Sequence, residues 1–91
     1  MSVTVKIPTQ LRALTAGAAE VEAAGATVGE VINDLERRHP GLKERLVDDD
    51  GGLRRFVNVY LDDEDVRFLG GMGTDVPDGA RVAIIPAVAG G

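Results

Sequence analysis

One stretch limits what this chain can become. Residues 27–41, "TVGEVINDLERRHPG", carry the only fully marked helix in the sequence. Thr27 is placed as an N-cap, and Glu30 follows at the three-residue spacing of a capping box. Val28, Val31, Ile32 and Leu35 fall at i, i+3, i+4 and i+7 and form one apolar stripe. Arg37, Arg38 and His39 gather at the C-terminal end, where the helix dipole favours cations. Pro40 and Gly41 end the helix. Residues 28–38 span roughly 16 Å, enough to cover one face of a small sheet.

The remaining apolar residues alternate as strands do. In "VTVKIP", Val3, Val5 and Ile7 share a face while Thr4 and Lys6 take the other, and Pro8 closes the strand. "TQLRALTAGA" is expected to be a connecting loop with Leu11 and Leu14 tucked inward. "AEVEA" (19–23) returns as a second strand with Val21 between two glutamates. "LKERL" (42–46) predicts one further helical turn burying Leu42 and Leu46, and "DDDGG" (48–52) an acidic turn. In "RFVNVYL", Val57, Val59 and Leu61 oppose Phe56, Asn58 and Tyr60. "DDED" turns the chain and "VRFL" reads as a short strand. "GGMGTDVPDGA" is expected to be a long loop with a turn at 77–79. "RVAIIP" is apolar almost throughout, which predicts a central strand covered on both faces. The expected fold is α+β: a roll in which a mixed sheet of four to five strands packs on one main helix. No linker interrupts it, so residues 1–86 are expected to be one domain and 87–91 a tail.

Composition removes several function classes. With no cysteine and one histidine, His39, the sequence offers neither a disulfide nor a thiolate or histidine-rich metal site. The net charge of −5 opposes a nucleic-acid partner, which needs a basic stripe. No apolar run approaches the ~20 residues of a membrane span. "MSVTVKIP" lacks the apolar core of a secretory signal, so a cytoplasmic location is expected.

Local motifs give no side-chain chemistry. Asp48–Asp50 and Asp62–Asp65 lack the spacing of a calcium loop and read as solvated turns. "GGMG" (70–73) lacks the lysine and hydroxyl of a phosphate loop. Two features are left. Phe56 and Tyr60 face away from the helix, either towards a partner or under neighbouring loops. The other is the end, "AIIPAVAGG". Frayed chain ends are common, but this tail follows a strand expected to be central. Extended, Ala87–Gly91 would project roughly 16 Å, slim enough for a narrow tunnel, with the Gly91 carboxylate as the reactive group at its tip.

Taken together, "VTVKIPTQLR", "TVGEVINDLE", "FVNVYLDDEDVRFLGG" and "DGARVAIIPAVAGG" resemble the MoaD/ThiS family of β-grasp, ubiquitin-like sulfur carriers over the whole chain. The resemblance implies a mechanism. An E1-like (MoeB/ThiF-type) enzyme would use ATP to adenylate Gly91, and a sulfur donor would displace AMP to leave a thiocarboxylate. That group would pass sulfur to a partner synthase. The "AVAGG" tail points to cysteine synthesis through a cysteine synthase-like partner; thiosugar, thiazole (thiamin) or molybdopterin synthesis are the related outlets. A zinc peptidase is a further implied partner. The carrier would bind no cofactor and act as a co-substrate, not an enzyme. The likeness carries over to Gly90 and Gly91, to Ala87, Val88 and Ala89 as recognition residues with Val88 in a small apolar pocket, and to Phe56, Tyr60 and Phe68 for docking. The chain stops at Gly91, so no trimming is expected. Two other readings stay open: a protein modifier joined to lysines through Gly91, and an interaction domain using the Phe56/Tyr60 face with an idle tail.

Overall fold

The computed structural model describes residues 2–55 and 57–86. Five strands form one mixed sheet: β1 (Ser2–Lys6), β2 (Glu20–Ala24), β3 (Val57–Leu61), β4 (Glu64–Asp65) and β5 (Arg81–Pro86). Their order across the sheet is β2-β1-β5-β3-β4. β5 therefore sits in the middle, parallel to β1 and antiparallel to β3. Two helices follow β2, α1 (Val28–Arg38) and α2 (Leu42–Leu46).

The period-two pattern determines which face meets the helix. Val3, Val5, Ala23, Val57, Val59, Leu61, Val82 and Ile84 are buried in the same cluster as Val28, Val31, Ile32 and Leu35 of α1. The α1 cap forms as expected: the Glu30 N–H donates to Thr27 Oγ1 at 3.2 Å. The Glu30 carboxylate reaches back one residue further than the capping box requires, accepting from the Ala26 N–H at 3.1 Å. Just before it, Gly25 lies against the first helical turn. A Cβ there would stand 2.6 Å from the Val31 nitrogen and 2.8 Å from the Glu30 carbonyl carbon. α2 takes its cap from α1, since Glu36 Oε1 accepts from the Gly41 and Lys43 N–H groups at 3.1 and 3.0 Å. Leu42 and Leu46 are buried.

Three expectations need correction. Residues Thr9–Thr15 form a 3-10 helix rather than a loop. Leu11 and Leu14 stand three residues apart, which is that helix's own period, and both pack half-buried on the core. The short strand after β3 is Glu64–Asp65, and "VRFL" instead enters a 3-10 turn, Val66–Phe68. Asp62 and Asp63 both take positive φ (48° and 76°), so two residues reverse the chain and pairing resumes at Glu64. The Asp65 carboxylate then accepts from the Arg67 N–H at 2.9 Å and bends the strand away. Lastly, β5 is central but covered on one face only: Ile84 is buried while Ile85 is 47% exposed.

Candidate functional site at the end of the central strand

Strand β5 delivers the chain to Pro86, whose Cα partner is Val57 on β3. Ala87, Val88, Ala89, Gly90 and Gly91 lie outside the described residues, as does Phe56. The described part of the site is the face of the sheet that the helices leave open. Strand register puts Glu20, Lys6, Ala83, Tyr60 and Asp65 in one row across all five strands. Residues directly opposite one another share a face, so this row is continuous. Beside it, Thr4 stands opposite Arg81 and Asn58 opposite Ile85.

A shallow groove of about 930 Å³ runs over this face, with Lys6, Arg12, Tyr60, Arg81, Ile85 and Pro86 in its wall. Its charges are mixed. Arg81 pairs loosely with Glu20 at 3.5 Å, and Arg12 Nε donates to the Ile7 carbonyl at 3.1 Å. The groove combines an apolar strip, Ala83–Ile85–Pro86, with a polar margin, and it ends where β5 ends.

The docking residues expected from the sequence divide. Tyr60 is half-buried on the open face. Phe68 is 86% exposed, but on the 3-10 turn beyond β4 and outside the five-strand row. Sequence reading missed Ile85. The signal was present: with Arg81 facing solvent, a period of two turns Ala83 and Ile85 outward as well.

Among the described residues no group of His, Asp and Glu is placed to hold a metal ion, and no buried side-chain polar atom lacks a hydrogen-bond partner. What this body offers chemically is a surface and a strand end.

The ThiS family model matches residues 5–91. The chain belongs to the ThiS family. The sulfur carrier protein CysO of Mycobacterium tuberculosis is 56% identical over 93 residues, covering all of both chains. Small archaeal modifier protein 3 of Haloferax volcanii is 44% identical over 66 residues, 72% of this chain and 71% of that one. A chain in the crystal structure of the Amycolatopsis orientalis BexX/CysO complex superposes with a TM-score of 0.92 at 58% identity, over 98% of this chain and 99% of that one. The architecture is thus the β-grasp roll of the ThiS family. By that membership the protein is a small ubiquitin-like sulfur carrier rather than an enzyme.

Proposed function

We propose that this protein carries sulfur at the carboxyl group of Gly91, the tip of a tail (87–91) held out by a rigid body (1–86). The observation that carries the reading is the position of β5. The strand pairs with β1 through Ala83 and with β3 as far as Pro86, so the chain reaches Pro86 on a strand anchored in the middle of the sheet. A fixed root lets a partner enzyme locate a short tail at small entropic cost.

The chemistry follows from the carboxylate. Oxide is a poor leaving group, so the Gly91 oxygen first attacks the α-phosphorus of ATP on an E1-like activating enzyme, releasing pyrophosphate. A sulfur nucleophile then adds to the acyl-adenylate, and AMP leaves. The resulting thiocarboxylate is a soft anion that attacks an electrophilic carbon held by a second partner, a sulfur-accepting synthase. Gly90 and Gly91 allow the tail into a narrow channel because they carry no side chains, while Ala87, Val88 and Ala89 are read by its walls. Tyr60 and Ile85 on the open face dock the body, together with Phe68 on the turn after β4 and with Phe56. Assembly with a partner enzyme is supported by the Amycolatopsis CysO, which is found in complex with BexX. Full-length likeness to CysO supports cysteine synthesis as the outlet, in the cytoplasm, where ATP is available.

Intact mass after incubation with ATP, sulfide and a MoeB/ThiF-type enzyme should show one oxygen replaced by sulfur. Deleting Gly91 should abolish that change and leave the thermal melt of the body where it was. A wild-type chain that stays unmodified with its cognate activating enzyme overturns the reading.

A second reading is favoured by the archaeal modifier protein that matches 72% of the chain: Gly91 joined to lysine amines of other proteins. The same acyl-adenylate would serve it. Isopeptide-linked conjugates that disappear with Gly91→Ala would establish it.

A further inference from the structure

We infer that an arginine cluster beside the tail root is a recognition patch for a carboxylate-bearing surface of the activating enzyme; the inference rests on the carrier reading above. Arg54 and Arg55 lie just before Val57, and Val57 pairs with Pro86, the last described residue of β5. Arg45 of α2 joins them in the wall of a second cleft of about 770 Å³, together with Glu44, Asp48 and Val57. Arg67 reaches the same place from the turn after β4. Its guanidinium donates to the Arg54 carbonyl and to Asn58 Oδ1, both at 2.6 Å. Four of the ten Lys and Arg residues of a chain with net charge −5 thus gather near Val57, the Cα partner of Pro86.

Two of these guanidiniums are held in place, and those of Arg45 and Arg55 make no hydrogen bond among the described residues. Arg54 Nε donates to the Glu44 carbonyl at 2.9 Å, and Arg67 is tied at two atoms. Among the described residues every ion pair lies elsewhere, on Asp34 and on Glu20, and none involves these four arginines. A planar donor fork already fixed in place loses little freedom when it meets carboxylates. The acidic remainder of the molecule selects the partner class. A long polyanion such as nucleic acid would lie across repelling surface, whereas a local carboxylate patch on a protein meets the arginines within a Debye length of about 8–10 Å. Such a patch steers encounter and sets orientation, so it acts on association more than on the chemical step. Whatever enzyme receives the tail must close over its root, and the patch stands there.

The test uses full-length protein and the MoeB/ThiF-type enzyme of the same organism, with adenylation followed by pyrophosphate release. Arg45 and Arg55 make no side-chain hydrogen bond among the described residues, so the Arg45→Glu/Arg55→Glu variant should melt with wild type. At about 50 mM salt its kcat/KM should fall roughly tenfold or more with kcat unchanged, and the gap should close towards 0.3 M salt. Arg37→Glu, a single charge reversal on α1 outside this cleft, should fall by less than about twofold. Equal adenylation of wild type and the double variant, a loss that salt does not alter, or an equal loss in Arg37→Glu overturns the patch while leaving the carrier reading intact. A wild-type chain that is never adenylated sinks both.

Discussion

At Asp34 several donors converge on one carboxylate, and the balance is readable from the partners. The Ala24 N–H donates to Oδ2 at 2.8 Å, Arg37 pairs with Oδ1, and Arg38 Nε reaches Oδ2 at 2.7 Å. The side chain is 10% exposed. The Ala24 hydrogen bond is the largest cause, with Arg37 next, and together they outweigh the cost of burial and hold the pKa down to about 2. An unfolded aspartate titrates near 3.9. Because the folded value is lower, the ionised group stabilises the fold fully above about pH 4, and that contribution fades as pH falls towards 2. Urea midpoints of wild type and Asp34→Asn should therefore differ at pH 6 and converge between pH 4 and 2. A constant difference across that range would remove the assignment. Nothing at the sequence level announces this residue, since its main partner is a backbone N–H ten positions away. Gly25 was equally silent: its lack of a side chain matters only because the helix start happens to press on it.

Elements were legible where one local rule dominated. α1 has a cap, a stripe, a basic end and a stop, all in agreement, and it runs over the expected residues. The Thr9–Thr15 segment has no side-chain N-cap bond and a three-residue period easily read as irregular chain. The β3–β4 hairpin was misplaced because two aspartates disguise a tight turn usually written with Asn-Gly. That disguise gives an expectation. Asp63 sits at φ 76°, a region glycine enters without strain. Asp63→Gly should stabilise the hairpin or cost nothing, within about 1 kcal/mol by chemical denaturation. Asp62 should not tolerate change as well, because its Oδ1 accepts from the Arg81 N–H at 3.0 Å and ties the turn to β5. A marked loss of stability in Asp63→Gly would contradict the turn geometry.

For the molecule as a whole, the sheet's two faces have different work. Ile84 and Ile85 are neighbours in sequence, yet one is 4% exposed and the other 47%. Ile84→Ala should cost about 2–5 kcal/mol of unfolding free energy by opening a core cavity. Ile85→Ala should unfold close to wild type while raising the KM for adenylation. Parallel losses of stability in both would mean that the second face is covered after all. The fold was legible in the sequence because alternation and a single helix leave few architectures. The open face was half legible: alternation around "FVNVYL" put Tyr60 on it, but which apolar residues of "RVAIIP" face outward depended on recognising that Arg81 points to solvent, while the diglycine lies outside the described residues.

The seam of the sheet has one more effect. β5 fills the gap between β1 and β3, yet it is synthesised after every other strand. Until it emerges from the ribosome, β1 and β3 lack the strand that joins them and the roll cannot shut, since closure depends on contacts between distant parts of the chain. Any nascent molecule broken off short of β5 would lack the central strand and stay exposed to proteases, so the cell would not accumulate folded bodies without the strand that bears the tail.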